Sequence, residues 1–330
     1  MSSGPILVTG SAGLIGSAVR RALRQAGQDI RELDCRFHES RFQYGDVKDA
    51  KSVARAVRGC TGIVHLAAVS RVVWGEEDPR ECWHTNVGGT DNVVRAALET
   101  KPSPWLIFAS SREVYGQADR LPVKEDAPLK PINVYAHAKV EGERLVSLAR
   151  ERGLQTAIVR LSNVYGSADD HEDRVVPAFA RASALGLPMK LEGRDHVFDF
   201  THVDDVASGL SSLVARLKCG VTDMPILHLA TGRPTTLDAL AAIANLAGGG
   251  RSRTYEAPQR DFDVARFVGD ASLAEAWLDW RPRISIEQGV TRMVDAFTAM
   301  ADTRSIGYRR ARRNPINVRG PGTRQATVRS

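Results

Sequence analysis

The chain has 330 residues, of which 43% are hydrophobic and 25% charged, a composition that is ordinary for a globular protein and excludes a disordered or fibrous chain. The net charge of +6 arises from the segment after residue 303, which carries eight arginines and no acidic residue, so the rest of the chain is slightly acidic. This distribution argues against a specific nucleic-acid partner.

No apolar run is as long as a membrane-spanning helix, and the first residues lack the pattern of a secretory signal, so we expect a cytoplasmic protein without a membrane partner. The four cysteines are far apart and lack metal-ligand spacing, which predicts no metal site and no disulfide framework. They are Cys35, Cys60, Cys82 and Cys219. Residues 304–330 contain few apolar side chains and several Gly and Pro, which predicts a basic, disordered tail.

The first segment, P-I-L-V-T-G-S-A-G-L-I-G-S-A-V, has the pattern of a strand, a tight glycine turn and the start of a helix. Gly10, Gly13 and Gly16 would let a pyrophosphate approach the backbone amides at the helix N-terminus, where the helix dipole favours negative charge. Alone, this G-x-x-G-x-x-G spacing is a weak signal, because glycines also cluster in turns for structural reasons.

The following strands strengthen the interpretation as a dinucleotide site. The segment D-I-R-E-L-D-C ends in Asp34, at the distance from the glycines where a carboxylate binds the adenosine ribose and repels a 2′-phosphate, so NAD is favoured over NADP. Asp46 and Val47 fall at the end of the third strand and would hold the adenine, although Asp46 also fits the N-cap of the next helix. Ala67 is one of the small residues ending the fourth strand, where the chain would pass close to the nicotinamide.

Strands alternate with helices from residue 5 to about residue 165, which is the pattern of an α/β fold with a doubly wound parallel Rossmann sheet. In such sheets ligands lie at the carboxyl ends of the strands. The stretch A-S-S-R-E-V-Y-G (109–116) follows the apolar run W-L-I-F and therefore emerges at the expected ligand site.

Tyr135 and Lys139 stand four residues apart in P-I-N-V-Y-A-H-A-K-V-E-G-E-R-L-V and so lie on one face of the predicted helix. An ammonium group one turn away favours the phenolate, which predicts a lowered pKa for Tyr135 and a tyrosine able to take a proton from a sugar hydroxyl as hydride leaves. The hydroxyl of Ser111 can hold the same oxygen.

These segments together resemble the extended short-chain dehydrogenase/reductase family, specifically its NAD-dependent nucleotide-sugar epimerase/dehydratase branch. The matching pieces include T-G-S-A-G-L-I-G, G-D-V, H-L-A-A, N-V-G-G-T, S-S-R-E-V-Y-G, Y-A-H-A-K, R-L-S-N-V-Y-G, D-F-T-H-V-D-D and L-D-W-R-P, in the family's order. The resemblance implies a catalytic triad and a set of NAD contacts: Ser111, Tyr135 and Lys139 for the triad, and Gly10, Gly13, Gly16 and Asp34 for NAD, with Tyr135 and Lys139 also beside the cofactor.

The resemblance also implies the domain organisation. We expect an NAD-binding domain at 1–165, to which the chain returns around 199–232, and a smaller, partly interleaved α/β substrate-binding lobe at 166–303. A homodimer through a four-helix bundle is implied as well, built from helices near 87–99 and 135–150. Apolar positions suited to that interface are Val134, Ala138, Leu145, Val146 and Leu148.

Substrate contacts are implied for Asn163 in R-L-S-N-V-Y-G, for Arg260 as a diphosphate ligand and for Asp263 as an acidic partner near the nucleotide ribose. Guanidinium groups suit a diphosphate because they bind it with paired hydrogen bonds. One position departs from the family: many members carry an arginine where this chain has Phe198, and Arg194 is a candidate substitute.

The resemblance implies an NAD-dependent nucleotide-sugar 4-epimerase, with UDP as the expected nucleotide. Glu113 matches the glutamate of the 4,6-dehydratases and UDP-glucuronate decarboxylases, which keeps those reactions open as the alternative, with Glu113 as a further catalytic residue. Arg112 departs from both groups and would keep Glu113 ionised, so a salt-bridged turn is an equally good interpretation of the pair. A non-catalytic NAD-binding scaffold is the remote alternative, against which the intact Ser111, Tyr135 and Lys139 argue.

Overall fold

The computed structural model describes residues 4–258 and 262–313, with side chains as far as residue 302. The described strands are β1 (Ile6–Thr9), β2 (Ile30–Leu33), β3 (Gly62–His65), β4 (Trp105–Ser111), β5 (Thr156–Leu161), β6 (Asn163–Tyr165), β7 (Met189–Glu192), β8 (Val197–His202), β9 (Leu227–Leu229), β10 (Pro234–Thr236) and β11 (Thr254–Ala257). The described helices are α1 (Leu14–Gln25), α2 (Ala50–Val57), α3 (Val72–Glu77), α4 (Pro79–Trp83), α5 (Gly89–Glu99), α6 (Val134–Glu151), α7 (Val175–Leu185), α8 (Val203–Lys218), α9 (Leu237–Ala247), α10 (Ser272–Leu278) and α11 (Ile286–Arg313).

The centre of the fold is a six-stranded sheet in the order β2-β1-β3-β4-β5-β9, in which every pairing is parallel. Alternate side chains of its central strands point to opposite faces, and both faces are covered by helices, so these strands consist of nearly continuous buried apolar residues. Helices α1 and α8 cover one face, and α2, α5 and α6 cover the other. The predicted doubly wound parallel sheet is confirmed. The strand predicted to end at Asp46 and Val47 is wrong, because Tyr44 forms only an isolated bridge with Asp34 there.

A smaller unit contains the strands that do not join the large sheet. Strands β10, β8 and β6 form one short sheet, and β11 pairs with β7 in another. Helices α7, α9 and α11 share an apolar core with these strands. The chain leaves the large sheet after β5 and returns to it with α8 and β9, so the two units are interleaved along the sequence.

The last helix corrects the predicted disordered tail in part. Helix α11 runs to Arg313, so residues 304–313 are helical, and residues 314–330 lie outside the described part of the chain. The first turns of the helix are stabilised by Val290, Met293 and Val294, which are buried in the smaller core. The arginine and alanine residues that follow have high helix propensity and favour its continuation. Within the described residues, no helix is both long and apolar enough to cross a membrane.

Candidate active site

The turn between β1 and α1 requires glycine at two positions, because its backbone packs closely against itself and against the end of β3. Gly10 has φ +65°, and a Cβ there would lie 2.7 Å from the Ala67 amide nitrogen; a Cβ on Gly16 would overlap the carbonyl oxygen of Gly10. Side chains at these positions would therefore disrupt the turn. The hydroxyl of Ser11 is completely buried in the turn and has no hydrogen-bond partner among the described residues.

Asp34, at the end of β2, stabilises this turn. Its carboxylate accepts hydrogen bonds from the amides of Ala12 and Arg36, each at 2.8 Å. The Arg36 guanidinium lies 3.3 Å from the same carboxylate. Asp34 is buried, whereas the Arg36 side chain is 54% exposed, so the carboxylate is the better placed of the two to select a ligand.

A cavity of about 410 Å³ opens in front of the glycine turn. It is lined by all the residues that the sequence predicts to contact the cofactor: Gly10, Gly13, Gly16, Asp34, Asp46, Val47, Ala67, Tyr135 and Lys139. The alternative role of Asp46 as a helix N-cap is wrong, because Asp49 caps α2 by accepting hydrogen bonds from the amides of Lys51 and Ser52. Asp46 instead accepts a hydrogen bond from the amide of Lys48 at the cavity edge.

The residues of this cavity fit a dinucleotide. The three glycines of the turn line the cavity at the N-terminus of α1, where no side chain caps the helix, so its first amides and its dipole can bind a pyrophosphate. The acidic side chain at position 34 suits a ribose with two free hydroxyls.

Ser111, Tyr135 and Lys139 meet at the carboxyl end of β4, where the sequence places them. Asn133 starts α6 by accepting a hydrogen bond from the amide of Ala136, and Tyr135 and Lys139 then follow on one face of the helix. The Lys139 ammonium donates to the carbonyl of Ala109 at 2.8 Å and lies 5.7 Å from the centre of the Tyr135 ring. The Ser111 hydroxyl lies near enough to Tyr135 to act on its pKa, which it lowers.

The predicted lowering of the Tyr135 pKa is wrong for this structure. Burial raises the pKa of Tyr135 to about 12, and the opposing effects of the Ser111 hydroxyl and the Arg174 charge are smaller. Burial also lowers the pKa of Lys139 to about 8. Both groups are enclosed by protein, so desolvation dominates the attraction that the sequence spacing suggested.

Arg112 and Glu113 follow Ser111 in a short 3-10 helix and are both buried. Arg112 Nη2 donates to Glu113 Oε1 at 2.6 Å, and Asn133 Nδ2 donates to Glu113 Oε2 at 3.1 Å. The Arg112 guanidinium stacks 4.9 Å above the ring of Phe198. Two unusual positions of this sequence are therefore in direct contact, although 86 positions separate them in the chain.

A second cavity, of about 250 Å³, adjoins the first at Tyr135 and Arg174, which line both. Ser111, Arg112, Glu113 and Asn163 line it as well. Asn163 Oδ1 is buried and has no hydrogen-bond partner in the described part of the chain, so it is a polar group facing a ligand site. Tyr135 thus shares this cavity with an unpaired hydrogen-bond acceptor and with three guanidinium groups, those of Arg71, Arg112 and Arg174.

Two lining arginines were not predicted from the sequence. Arg174 precedes the first residue of α7, and Arg71 precedes α3 and pairs with Asp173. Both line the second cavity. Each arginine directly precedes a helix, and a helix N-terminus and a guanidinium group both attract anions.

Two of the remaining predicted substrate residues, Arg194 and Asp263, do not line this cavity. Arg194 has a half-exposed side chain that lies within 3.5 Å of Asp238 and Glu256, and it is not among the residues lining either cavity. The backbone carbonyl of Asp263 accepts a hydrogen bond from Gln117. Arg260 lies outside the described residues.

Fold and site together define a Rossmann-type protein of the short-chain dehydrogenase/reductase class, with a dinucleotide cavity that ends at a Ser-Tyr-Lys cluster. The model of the NAD dependent epimerase/dehydratase family matches residues 6–223, and the chain belongs to that family. NAD is therefore its cofactor, as the sequence predicts.

Named relatives cover nearly the whole chain. A UDP-glucose 4-epimerase of Streptomyces lividans is 28% identical, with 85% of this chain and 92% of that protein covered. The structure of a UDP-glucose 4-epimerase from Thermus thermophilus in complex with NAD is 28% identical, covers 89% of this chain and 98% of that one, and has a TM-score of 0.79. A dTDP-glucose 4,6-dehydratase from Streptomyces venezuelae, with NAD bound, is 27% identical, covers 91% and 98%, and has a TM-score of 0.78.

Proposed function

We propose that this protein is an NAD-dependent nucleotide-sugar 4-epimerase. The observation that carries the proposal is the position of Ser111, Tyr135 and Lys139, at the boundary between the dinucleotide cavity and the second cavity. A sugar in the second cavity would present a hydroxyl to Tyr135, while the cofactor would lie against the glycine turn.

The residues of the site have complementary tasks. NAD, when bound, supplies a group that can accept and return a hydride. Tyr135 exchanges a proton with the 4-hydroxyl of the sugar, and Ser111 holds that oxygen by its hydroxyl group. Lys139, charged below its pKa of about 8, favours the phenolate form of Tyr135 by electrostatic attraction. Epimerisation then requires the sugar to turn within the cavity, so that its opposite face meets the same residues.

Glu113 decides between epimerisation and the eliminating reactions. In the described structure both of its oxygens are engaged, one by Arg112 and the other by Asn133, and Asn133 also starts the helix that bears Tyr135. A carboxylate in a buried ion pair is a poor proton acceptor and a poor donor, because protonation would leave Arg112 uncompensated. This arrangement favours a structural role for Glu113 and hence the epimerase.

The charge of the second cavity favours a substrate with a diphosphate. Arg174 and the N-terminus of α7 line the same part of the wall, and the exposed amides of a helix N-terminus attract anions. Asn163 adds an unpaired amide oxygen that can accept a hydrogen bond from a ribose or sugar hydroxyl. UDP is the nucleotide we propose, since the related epimerases are named for UDP-glucose and UDP-glucuronate.

A homodimer is the proposed assembly. Trp83, 46% exposed, lines a shallow groove with Val87, Val134 and Leu145, between the α4–α5 region and α6. Leu148 of α6 is also exposed. Of the apolar positions proposed for a four-helix bundle, Ala138 and Val146 instead pack inside their own subunit. The remaining exposed apolar surface is what a second copy would cover.

The deciding experiment incubates the purified protein with UDP-, dTDP- and GDP-sugars, including UDP-glucuronate, and resolves the products by NMR and mass spectrometry. We expect a product of unchanged mass with inverted configuration at the 4-position. Loss of water or of carbon dioxide would refute the epimerase and indicate a dehydratase or decarboxylase that uses Glu113. The Tyr135→Phe variant is the matched control, because it removes one hydroxyl group and should slow either reaction by at least about 100-fold.

A further inference from the structure

A buried carboxylate that touches neither cavity lies directly behind the catalytic face of α6. Glu143 follows Lys139 by one helical turn and Tyr135 by two, and it is only 5% exposed. Its Oε1 accepts hydrogen bonds from Ser110 Oγ at 2.5 Å and from Arg160 Nε at 2.9 Å, and its Oε2 accepts one from Arg160 Nη2 at 2.7 Å.

The hydrogen bonds continue from Arg160 across the sheet. Arg160 Nη1 donates to the hydroxyl of Tyr115 at 2.6 Å and to the carbonyl of Glu125 at 2.7 Å. Arginine can only donate, so the Tyr115 hydroxyl keeps its own proton for His228 Nε2, 2.6 Å away. His228 then carries its proton on Nδ1, which faces the carbonyl of Asp270 at 3.1 Å. Burial lowers the pKa of His228 to about 4, which agrees with this neutral tautomer.

The arrangement connects the two elements that bear the reactive groups. Ser110 is the neighbour of Ser111 at the end of β4, while Glu143 is on the helix of Tyr135 and Lys139, and Arg160 joins both from β5. Ser111 and Tyr135 line the same cavity, and they can act on one substrate hydroxyl only if the helix and the strand keep one register. A bidentate ion pair constrains that register more strongly than apolar contacts, because its geometry is directional.

We propose that Glu143 is a positioning residue of the active site, which fixes α6 against β4 through Ser110 and Arg160 and compensates the buried charge of Lys139. This role of Glu143 rests on the proposed function, because its kinetic test measures the epimerisation proposed for the same site.

The titratable groups that face Lys139 support the second part of the proposal, that Glu143 compensates the buried charge of Lys139. Burial lowers the pKa of Lys139 to about 8, and the nearby Cys82 and Glu143 oppose that shift. His65 faces Lys139 from β3, but burial and Lys139 lower its pKa to about 3, so it is neutral. Tyr135, on the same helix, is protonated at neutral pH because its pKa is raised. Glu143 is thus the main carboxylate that keeps Lys139 cationic, and without it Lys139 would lose its proton at a lower pH.

The test replaces the ion pair by apolar side chains of similar size, in the double variant Glu143→Leu/Arg160→Met. Removing both charges avoids an unpaired buried ion, so the variant should fold. The matched control is Arg20→Met/Glu32→Leu, which removes the ion pair between α1 and the buried Glu32 of β2, away from Tyr135. Both variants should lose stability, but only the first should change the chemistry.

For Glu143→Leu/Arg160→Met we expect a kcat lower by about 100-fold, the cost of a displacement of about 1 Å in an active site, with KM changed less than about threefold. The control should keep the kcat and the KM of the wild type. If the folded double variant keeps both values as well, the pair is merely structural and the proposal is refuted.

A measurement without turnover separates this proposal from the proposed function. In protein labelled with ε-13C-lysine, the Lys139 resonance is assigned with the Lys139→Met variant and titrated by NMR. Its midpoint should be lower in the single variant Glu143→Gln, which removes the negative charge and keeps Arg160, than in wild type, whether or not any nucleotide sugar reacts. An unchanged midpoint would refute the compensating role. If the double variant does not fold, Ser110→Ala decides, because it removes the link to β4 and leaves the ion pair in place. A lower kcat at similar KM supports the positioning role, and wild-type kinetics refute it.

Discussion

Replacing Glu113 by glutamine should weaken the fold more than it weakens catalysis. The change removes the negative partner of Arg112, and both side chains of the pair are about 90% buried. Breaking a buried ion pair from one side costs about 3–5 kcal/mol. The stacking of Arg112 on Phe198 and one hydrogen bond from Asn133 can persist, so the low end of that range, about 3 kcal/mol, is the expected loss.

The assay combines urea unfolding, followed by circular dichroism, with initial rates of epimerisation. The matched variant Arg112→Met/Glu113→Gln removes both charges and should be less destabilised than Glu113→Gln alone, with a coupling energy of about 2 kcal/mol. The rate of the folded Glu113→Gln protein should stay within about tenfold of wild type, because Glu113 does not transfer the proton. A folded variant of wild-type stability that has lost about 1000-fold or more in rate would refute this reasoning and make Glu113 catalytic.

Three further changes test other parts of the site. Tyr135→Phe should lower kcat by about 100- to 10,000-fold in the epimerase assay while NAD binding, measured by calorimetry, persists; a variant with wild-type kcat would exclude Tyr135 as the proton carrier. Gly10→Ala should weaken NAD binding and lower the free energy of unfolding in urea by about 1 kcal/mol or more. The φ of +65° at Gly10 and its close approach to Ala67 both oppose a side chain. An unchanged affinity for NAD would contradict the proposed cofactor site. Trp83→Glu should yield monomers in analytical ultracentrifugation, and a dimer that survives it would move the interface elsewhere.

Local patterns predicted the parts of the site that depend on a few neighbouring residues. The glycine turn, the carboxylate at Asp34 and the Tyr135/Lys139 spacing are set by backbone geometry within a single strand, turn or helix, so the sequence reveals them directly. The alternation of strands and helices predicted the sheet for the same reason, since each βαβ unit is local.

The features that were missed depend on tertiary contacts. Burial, which no spacing records, reverses the expected direction of the Tyr135 pKa shift. The contact between Arg112 and Phe198 joins a helix after β4 to a strand of the smaller unit, and only the fold brings them together. The N-cap of α2 is Asp49, yet Asp46 fits the same local pattern, because both residues are acidic and only three positions separate them.

The return of the chain to the large sheet has a consequence for biosynthesis. Strand β9 forms the edge of that sheet beside β5, and α8 covers the apolar face of α1, yet both are translated after the first strands of the smaller unit. A nascent chain that has just completed β5 would still expose the residues that α8 covers, such as Val8 and Val19. The cofactor-binding half therefore cannot mature on the ribosome ahead of the rest, and a gene fragment ending near residue 165 should produce aggregating polypeptide instead of an isolated domain.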